Sequence, residues 1–205
     1  ILPGEILVFS TDGIQSITTH TNRCKKALCV FEYIYFASPD SVIDGVSVHQ
    51  ARIKAGEILA RDYPVEADVV TGVPESGLTA AVGYAEKAGI PFKLAFSKNS
   101  YVGRTFIKPS QEERVSAVHM KLSVIESVVK DKRVVLIDDS IVRGTTMANL
   151  IKMLRKAGAK EVHVRISSPP FLHPCYYGTD VPDNGQLIAN KLTEDDIREM
   201  IDGLL

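Results

Sequence analysis

The chain has 205 residues, of which 45% are hydrophobic and 24% are charged, and this predicts one compact domain with at most a small appendage. The formal net charge of −1 argues against nucleic acid or an anionic membrane as a partner, and the longest apolar runs are far too short for a transmembrane helix. The start shows no signal-peptide pattern, and because Ile1 replaces an initiator Met we expect an excised piece of a longer protein.

The first forty residues predict three short strands. Two of them, at 5–9 and 14–18, flank an Asp12-Gly13 pair, which is a common hairpin turn. A third strand is predicted at 29–37.

From residue 48 onward, helical and strand patterns alternate, which favours an α/β fold with a mostly parallel sheet. Helical spacing predicts helices at 48–63, 77–88, 112–129, 147–157 and from Thr193 onward, the last with Asp196 as its capping-box partner. Short apolar runs predict strands at 67–73, 92–96, 134–137 and 162–166, and a long polar loop is predicted at 98–109.

The most informative motif begins with the strand at 134–137, whose continuous apolar run is typical of a strand covered on both faces. Asp138 and Asp139 follow at its carboxyl end, and Gly144 closes a short loop before a helix. Ligands of open α/β sheets bind at this end of the strands, and the free amides of a helix N-terminus suit a phosphate. The hydroxyl donors of the loop are Ser140, Thr145 and Thr146.

The two adjacent acids need a separate explanation, because they would repel a bound anion. They make sense if they bind sugar hydroxyls, hold a divalent metal or stabilise a cationic reaction centre. Since Mg²⁺ is often shared between carboxylates and substrate phosphates, the motif predicts a ribose phosphate with Mg²⁺.

Two other interpretations of this motif are possible. In the first, Asp138 and Asp139 only cap a helix and the threonines fill a turn. An aspartyl-phosphate phosphatase also places Asp after a strand, but it usually needs a second Asp two positions on, where this chain has Ser140.

Two further loops are candidate substrate contacts. The loop at 71–77 also joins a buried strand to a helix, and from sequence alone it is as much a simple turn as an anion site. The cationic loop at 98–105 suits either a lid that excludes water or a solvated surface. Arg114 and Lys121 share one helical face and suit phosphates or solvent equally.

The motif at 133–146 resembles the phosphoribosyl diphosphate (PRPP) signature of type I phosphoribosyltransferases. Four further motifs make nearly the whole chain, from about Pro3, similar to the glutamine PRPP amidotransferases. These are Glu32-Tyr33-Ile34-Tyr35-Phe36-Ala37, Val73-Pro74-Glu75-Ser76-Gly77, Tyr101-Val102-Gly103-Arg104-Thr105-Phe106-Ile107 and Ser168-Pro169-Pro170.

The resemblance implies a type I phosphoribosyltransferase fold, which is a mostly parallel sheet flanked by helices, over residues 20–205 and truncated at its C-terminus. It also implies that residues 1–19 are a short β segment left from a glutaminase domain. The implied reaction forms 5-phosphoribosylamine from PRPP and glutamine-derived ammonia, with release of diphosphate, in the first step of de novo purine synthesis. A nucleotide-sensing regulator of the same fold and a base-salvage phosphoribosyltransferase are the alternatives.

The resemblance also implies roles for individual residues. Asp138, Asp139, Lys98, Tyr101 and Arg104 are the implied catalytic residues, and Ser76, Asp138 and Asp139 are implied to hold Mg²⁺. The implied substrate-binding residues are Pro74, Glu75, Ser76, Gly77, Ser140, Arg143, Gly144, Thr145 and Thr146. Ser100 departs from the family motif, in which we expect Arg, so a closed lid would carry less charge.

The implied partners are PRPP, ammonia or glutamine through the missing domain, and purine nucleotide inhibitors, in a homo-oligomeric parent located in the cytoplasm. No nucleic acid or membrane partner is expected.

Three cysteines are too few for a disulfide framework, and a buried structural cysteine is the default interpretation of Cys29 and Cys175. In one branch of the family, however, Cys29 and Cys175 fall on ligand positions of a four-iron–four-sulfur cluster. The other two ligands lie beyond Leu205 in that branch, so we expect the cluster in the full-length parent and not in this fragment.

Overall fold

The computed structural model describes residues 1–23, 25, 27–99, 122–177 and 184–202. The chain divides into two compact units, residues 1–30 and 31–205. The first unit contains an antiparallel hairpin of β1 (Ile6–Ser10) and β2 (Gly13–Ile17), with Ile6 opposite Ile17 and Ser10 opposite Gly13. This confirms the predicted hairpin, whereas its origin in a glutaminase domain stays a prediction.

The second unit begins with a turn of π-helix at Glu32–Phe36, followed by the two-residue strands β3 (Val42–Ile43) and β4 (Val46–Ser47). The prediction of a strand at 29–37 is therefore wrong. Aromatic packing accounts for the helical turn, because the ring of Phe31 lies 5.8 Å from that of Tyr35 and 5.3 Å from that of Phe36 between centroids.

The central sheet consists of three parallel strands in the order β5 (Val69–Gly72), β8 (Arg133–Asp138) and β9 (Glu161–Ile166). A parallel bridge between Val70 and Phe92 extends the sheet beyond β5. The flanking helices are α1 (Val48–Asp62), α2 (Ser76–Ala88), α3 (Glu126–Val129), α4 (Thr145–Lys156) and α5 (Glu194–Ile201).

Each face of the sheet has its own hydrophobic core, because side chains alternate along a strand. On one face, Val134 and Leu136 of β8 pack with Leu150 of α4 and Ile201 of α5. On the other face, Val135 and Ile137 pack with residues of α1 and α2. The helices therefore cover both faces, as the continuous apolar run of β8 predicted.

Two further predictions are wrong around the cationic loop. Strand β6 covers Phe96–Lys98 rather than 92–96, so Lys98 ends a strand instead of opening a loop. Leu122–Val124, predicted as helical, is strand β7, which pairs antiparallel with β6. Cross-strand pairing outweighs the helical spacing here, and only α3 remains helical in the described part of 112–129.

The structure confirms the helices predicted at 48–63, 77–88, 147–157 and from Thr193, and the strands predicted at 67–73, 134–137 and 162–166. Residues 100–109 of the predicted polar loop lie outside the described residues. Helix α2 ends at Gly89, whose φ of +68° is the left-handed conformation of a helix C-terminus. Helix α5 begins at the predicted capping box of Thr193 and Asp196. Within the described residues, no helix is both long and apolar enough to cross a membrane.

Candidate active site

The two predicted anion loops meet at one edge of the sheet. Strands β5 and β8 are neighbours with Gly72 opposite Ile137, and the Val73 amide donates a hydrogen bond of 2.9 Å to the Ile137 carbonyl. The loop at 73–76 and the loop at 138–144 therefore leave the sheet side by side at the carboxyl ends of their strands. This is the edge where open α/β sheets bind ligands.

Glycines allow helix α2 to start directly against β8. A Cβ on Gly72 would lie 2.6 Å from the Gly77 carbonyl oxygen, and a Cβ on Gly77 would overlap the Ile137 carbonyl oxygen. Backbone atoms surround both positions, so a side chain fits at neither. Gly77 thus has a packing role, while its predicted contact with substrate stays a prediction.

This packing joins the two loops through Asp139. The Ser76 hydroxyl donates to one carboxylate oxygen of Asp139, and the Ser140 hydroxyl donates to the other. The Asp139 amide donates a 2.9 Å hydrogen bond to Oδ1 of Asp138. Three residues that the sequence placed in two separate motifs, Ser76, Asp139 and Ser140, therefore form one hydrogen-bonded group.

Both acids are nearly out of solvent, with 9% of Asp138 and 6% of Asp139 exposed. Burial, followed by the neighbouring charge of Asp139, raises the pKa of Asp138 well above its usual value. A buried pair of this kind resists carrying two negative charges. A cation at this edge of the sheet, whether a metal ion or a sugar with positive charge, would relieve the repulsion.

The loop after β8 leads into α4 through Gly144, whose φ of +77° places it in the left-handed region just before the helix. Thr145 and Thr146 are exposed in the first turn, where backbone amides lack intrahelical partners. Arg143 is exposed and donates through Nη2 to the side-chain oxygen of Gln186. This end of the site can therefore hold an anionic group with amides and hydroxyls.

Of the contacts predicted in the cationic loop and the helix after it, only Lys98 is among the described residues. Its Nζ lies 2.9 Å from Oε1 of Glu75, so the end of β6 contacts the loop at 73–76. Tyr101 and Arg104 lie outside the described residues, as do Ser100, Arg114 and Lys121. Their proposed roles remain predictions.

Sequence reasoning missed Arg52, which is 7% exposed on α1. Its Nε donates to the Tyr33 carbonyl at 2.7 Å and its Nη2 to the Ala37 carbonyl at 2.9 Å. Burial lowers the pKa of this guanidinium, and the charge of Asp139 partly opposes that shift. The sequence did contain one sign that Arg52 is buried. This residue lies one turn after the buried Val48, on the core-facing side of the helix.

The donor set at the acidic pair fits Mg²⁺, which prefers oxygen ligands. Asp138, Asp139 and the Ser76 hydroxyl supply such oxygens at one edge of the sheet. Across the described ranges, no group of three or more His, Cys, Asp or Glu side chains could hold a metal by itself. Mg²⁺ typically binds one or two carboxylates together with substrate phosphates and water, so this smaller set suffices.

The cysteines do not make a complete iron–sulfur site. Cys29 is exposed in the first unit and Cys175 is half-buried in the second. Such a cluster takes four thiolates, and the sequence contains three cysteines. The predicted cluster of the longer parent remains a prediction.

Comparison with known proteins decides the family. Residues 47–167 match the family model described as the phosphoribosyl transferase domain, a range that includes both anion loops. The chain belongs to the phosphoribosyl transferase domain family. This membership confirms the predicted fold class.

Within this phosphoribosyl transferase family, the chain is most informatively compared with amidophosphoribosyltransferases. The enzyme of that name from Bacillus subtilis (strain 168) is 54% identical over 199 residues, which cover 97% of this chain and 42% of the relative. The enzyme from Mycobacterium bovis is 52% identical over 204 residues, which cover 100% of this chain and 38% of the relative.

A solved structure agrees with these two relatives. Glutamine PRPP amidotransferase from B. subtilis, complexed with ADP and GMP, superposes with a TM-score of 0.79 at 53% identity, covering 98% of this chain and 44% of the other. The chain thus spans about two fifths of the length of the curated relatives it matches.

Proposed function

We propose that this chain is the phosphoribosyl-transferring part of an amidophosphoribosyltransferase. The whole enzyme would form 5-phosphoribosylamine from PRPP and glutamine-derived ammonia, with release of diphosphate. The observation that carries the proposal is the hydrogen-bonded group of Ser76, Asp139 and Ser140, which joins two strand-end loops around a buried acidic pair. Identity of 54% to the B. subtilis enzyme over nearly the whole chain supports it.

Each loop would hold a different part of PRPP. The first turn of α4, with Thr145 and Thr146, would bind the 5-phosphate through amides and hydroxyls. Asp138 and Asp139 would accept hydrogen bonds from the ribose hydroxyls. The loop at 73–76, joined to Lys98 through Glu75, would lie beside the diphosphate.

The reaction breaks the bond between ribose C1 and a diphosphate oxygen, and both electrons of that bond leave with the diphosphate. The ammonia nitrogen forms the new bond to C1 and then loses one proton. Positive charge that develops on the sugar ring would lie near Asp138 and Asp139, whose carboxylates stabilise it. Mg²⁺, when bound beside Ser76, Asp138 and Asp139, would neutralise charge on the leaving diphosphate.

The remaining predictions concern the whole parent protein. Since the relatives are more than twice as long as this chain, we propose that glutamine hydrolysis belongs to the missing part and that residues 1–19 are its last segment. Purine nucleotides as inhibitors fit the relative whose structure contains ADP and GMP. The oligomeric state and the cytoplasmic location stay predictions.

An acceptor assay separates this proposal from its two rivals. The chain, incubated with PRPP and Mg²⁺, should release diphosphate with ammonia as acceptor and should not do so faster with adenine, guanine, hypoxanthine or uracil. Faster turnover with a free base would identify a salvage enzyme. PRPP binding without any turnover would favour the nucleotide-sensing regulator.

A second assay tests the division of labour within the parent. Glutamine alone should not be hydrolysed by this chain, because the glutaminase nucleophile is assigned to the missing part. Glutamine hydrolysis by the isolated chain would contradict the proposed arrangement of domains.

A further inference from the structure

The loop that would bind the 5-phosphate is covered by a segment near the end of the described chain. We define the C-terminal clamp as residues 186–201, which include a 3₁₀ turn at Ile188–Asn190 and helix α5. The clamp lies outside residues 47–167, which match the family model. The contacts between the clamp and the loop therefore involve residues outside that matched range.

Two polar contacts join the clamp to the loop. The Ile188 amide donates a 2.9 Å hydrogen bond to the Val142 carbonyl, and the Gln186 side-chain oxygen accepts a hydrogen bond from Nη2 of Arg143. Val142 and Arg143 directly precede Gly144, at which the chain turns into α4. The clamp thus contacts the Val142 carbonyl and the Arg143 side chain, which lie just before this turn.

Apolar contacts cover the same turn. The Met200 methyl and the Ile188 Cδ1 lie over Gly144, so closely that a Cβ there would be 3.0 Å from Ile188 Cδ1 and would overlap Met200. Ile197 and Ile201 of the clamp are buried in the same core cluster as Met147 and Leu150 of α4. The loop conformation and the clamp are consequently stabilised by one continuous set of packing contacts.

We propose that the C-terminal clamp preorganises the phosphate loop, with Gln186 as a positioning residue that aims Arg143 at the 5-phosphate of PRPP. This inference rests on the proposed function. A loop that must point several amides at one phosphate binds more weakly when it is disordered, because binding then has to supply the ordering entropy. Removing the clamp contact should therefore weaken PRPP binding without removing any group that touches PRPP.

A double-mutant cycle between Gln186 and Arg143 tests the inference. The dissociation constant of PRPP with Mg²⁺ is measured by calorimetry for the wild type, Gln186→Ala, Arg143→Ala and the double variant, with circular dichroism to verify folding. We expect Gln186→Ala to weaken binding about fivefold, as for the loss of one ordinary hydrogen bond at an exposed position. In the Arg143→Ala background the same change should have almost no effect.

Lys191→Ala is the matched control. Lys191 is exposed in the same segment and donates a hydrogen bond of 2.5 Å to the Gly185 carbonyl, but this bond does not involve the loop. Its loss should leave the PRPP dissociation constant within twofold of the wild type.

The outcomes separate the inference from the proposed function. Equal effects of Gln186→Ala in both backgrounds, or equal weakening by Lys191→Ala, would show that Gln186 acts only through general stability and would overturn the clamp. A folded wild type that does not bind PRPP would overturn the proposed function and the clamp with it.

Discussion

Replacement of Gly77 by Ala should disturb the site through backbone packing alone. The new Cβ would overlap the Ile137 carbonyl oxygen and lie 3.2 Å from both the Ile137 carbonyl carbon and the Asp138 Cα. These are backbone atoms of the central strand, so they cannot rotate away as a flexible side chain would. Helix α2 must instead move away from β8, and Ser76 at its first position must move away from Asp139.

The expected size of the effect follows from this geometry. Overpacking in a rigid core costs about 1–3 kcal/mol, so we expect the free energy of unfolding to fall by about 2 kcal/mol. If the Ser76–Asp139 contact is also lost, we expect the free energy of PRPP binding to weaken by about 1.4 kcal/mol. This change corresponds to about a tenfold weaker affinity. Urea unfolding measures the first quantity and calorimetry with PRPP and Mg²⁺ measures the second.

Gly89→Ala is the control for Gly77→Ala. Gly89 directly follows the last residue of α2. A Cβ on Gly89 would have no neighbour within 4 Å, but the φ of this residue is +68°. The control should therefore lose about 1 kcal/mol of stability to backbone strain while it keeps its PRPP affinity. If Gly77→Ala binds PRPP as tightly as Gly89→Ala does, close packing of α2 on β8 does not set the geometry of the site.

Three further predictions concern single side chains of the site. Ser76→Ala should weaken PRPP binding about tenfold with little loss of stability, because it removes one hydroxyl from Asp139; calorimetry checks this, and unchanged affinity would contradict it. Arg52→Met should lower the free energy of unfolding by about 3 kcal/mol in urea titrations, because the Tyr33 and Ala37 carbonyls lose their donors, and a loss below about 1 kcal/mol would refute this. Asp138→Asn should stabilise the protein at neutral pH, since burial and the charge of Asp139 raise the pKa of Asp138 in the folded state. The pKa of Asp138 is near 3.8 in the unfolded state and higher in the folded state. At pH values between the two, the folded state holds a proton that the unfolded state has lost, so stability falls as pH rises through this window. The difference in melting temperature between Asp138→Asn and wild type should therefore grow from pH 4 to pH 7, and a constant difference would contradict the pKa shift.

Local sequence patterns predicted the part of the site that comes from one continuous segment of the chain. The run at 134–137, the acids after it and Gly144 before a helical pattern together defined the strand, the loop and the helix start, because each feature depends only on near neighbours. The prediction of a strand at 29–37 was wrong because tertiary contacts determine the conformation of that segment. Its carbonyls accept hydrogen bonds from Arg52, fifteen and nineteen positions away, and its rings pack on one another.

Contacts between distant segments were beyond the reach of sequence patterns. The Ser76–Asp139 hydrogen bond joins residues 63 positions apart, and the Arg143–Gln186 contact joins residues 43 apart. Nothing local distinguishes Gln186 from any other half-buried glutamine. Arg52 could have been suspected, because a charged residue on the core-facing side of a helix needs partners.

The most direct measurement of the proposed function is a calorimetric titration of PRPP, with Mg²⁺, into the wild type and into Asp139→Asn. This variant removes the charge that faces the proposed ribose and metal while it keeps a side chain of nearly the same size. We predict saturable binding to the wild type and at least tenfold weaker binding to Asp139→Asn, with both proteins folded by circular dichroism. Equal affinity in the two proteins, or no binding by a folded wild type, would contradict a PRPP site at this edge of the sheet.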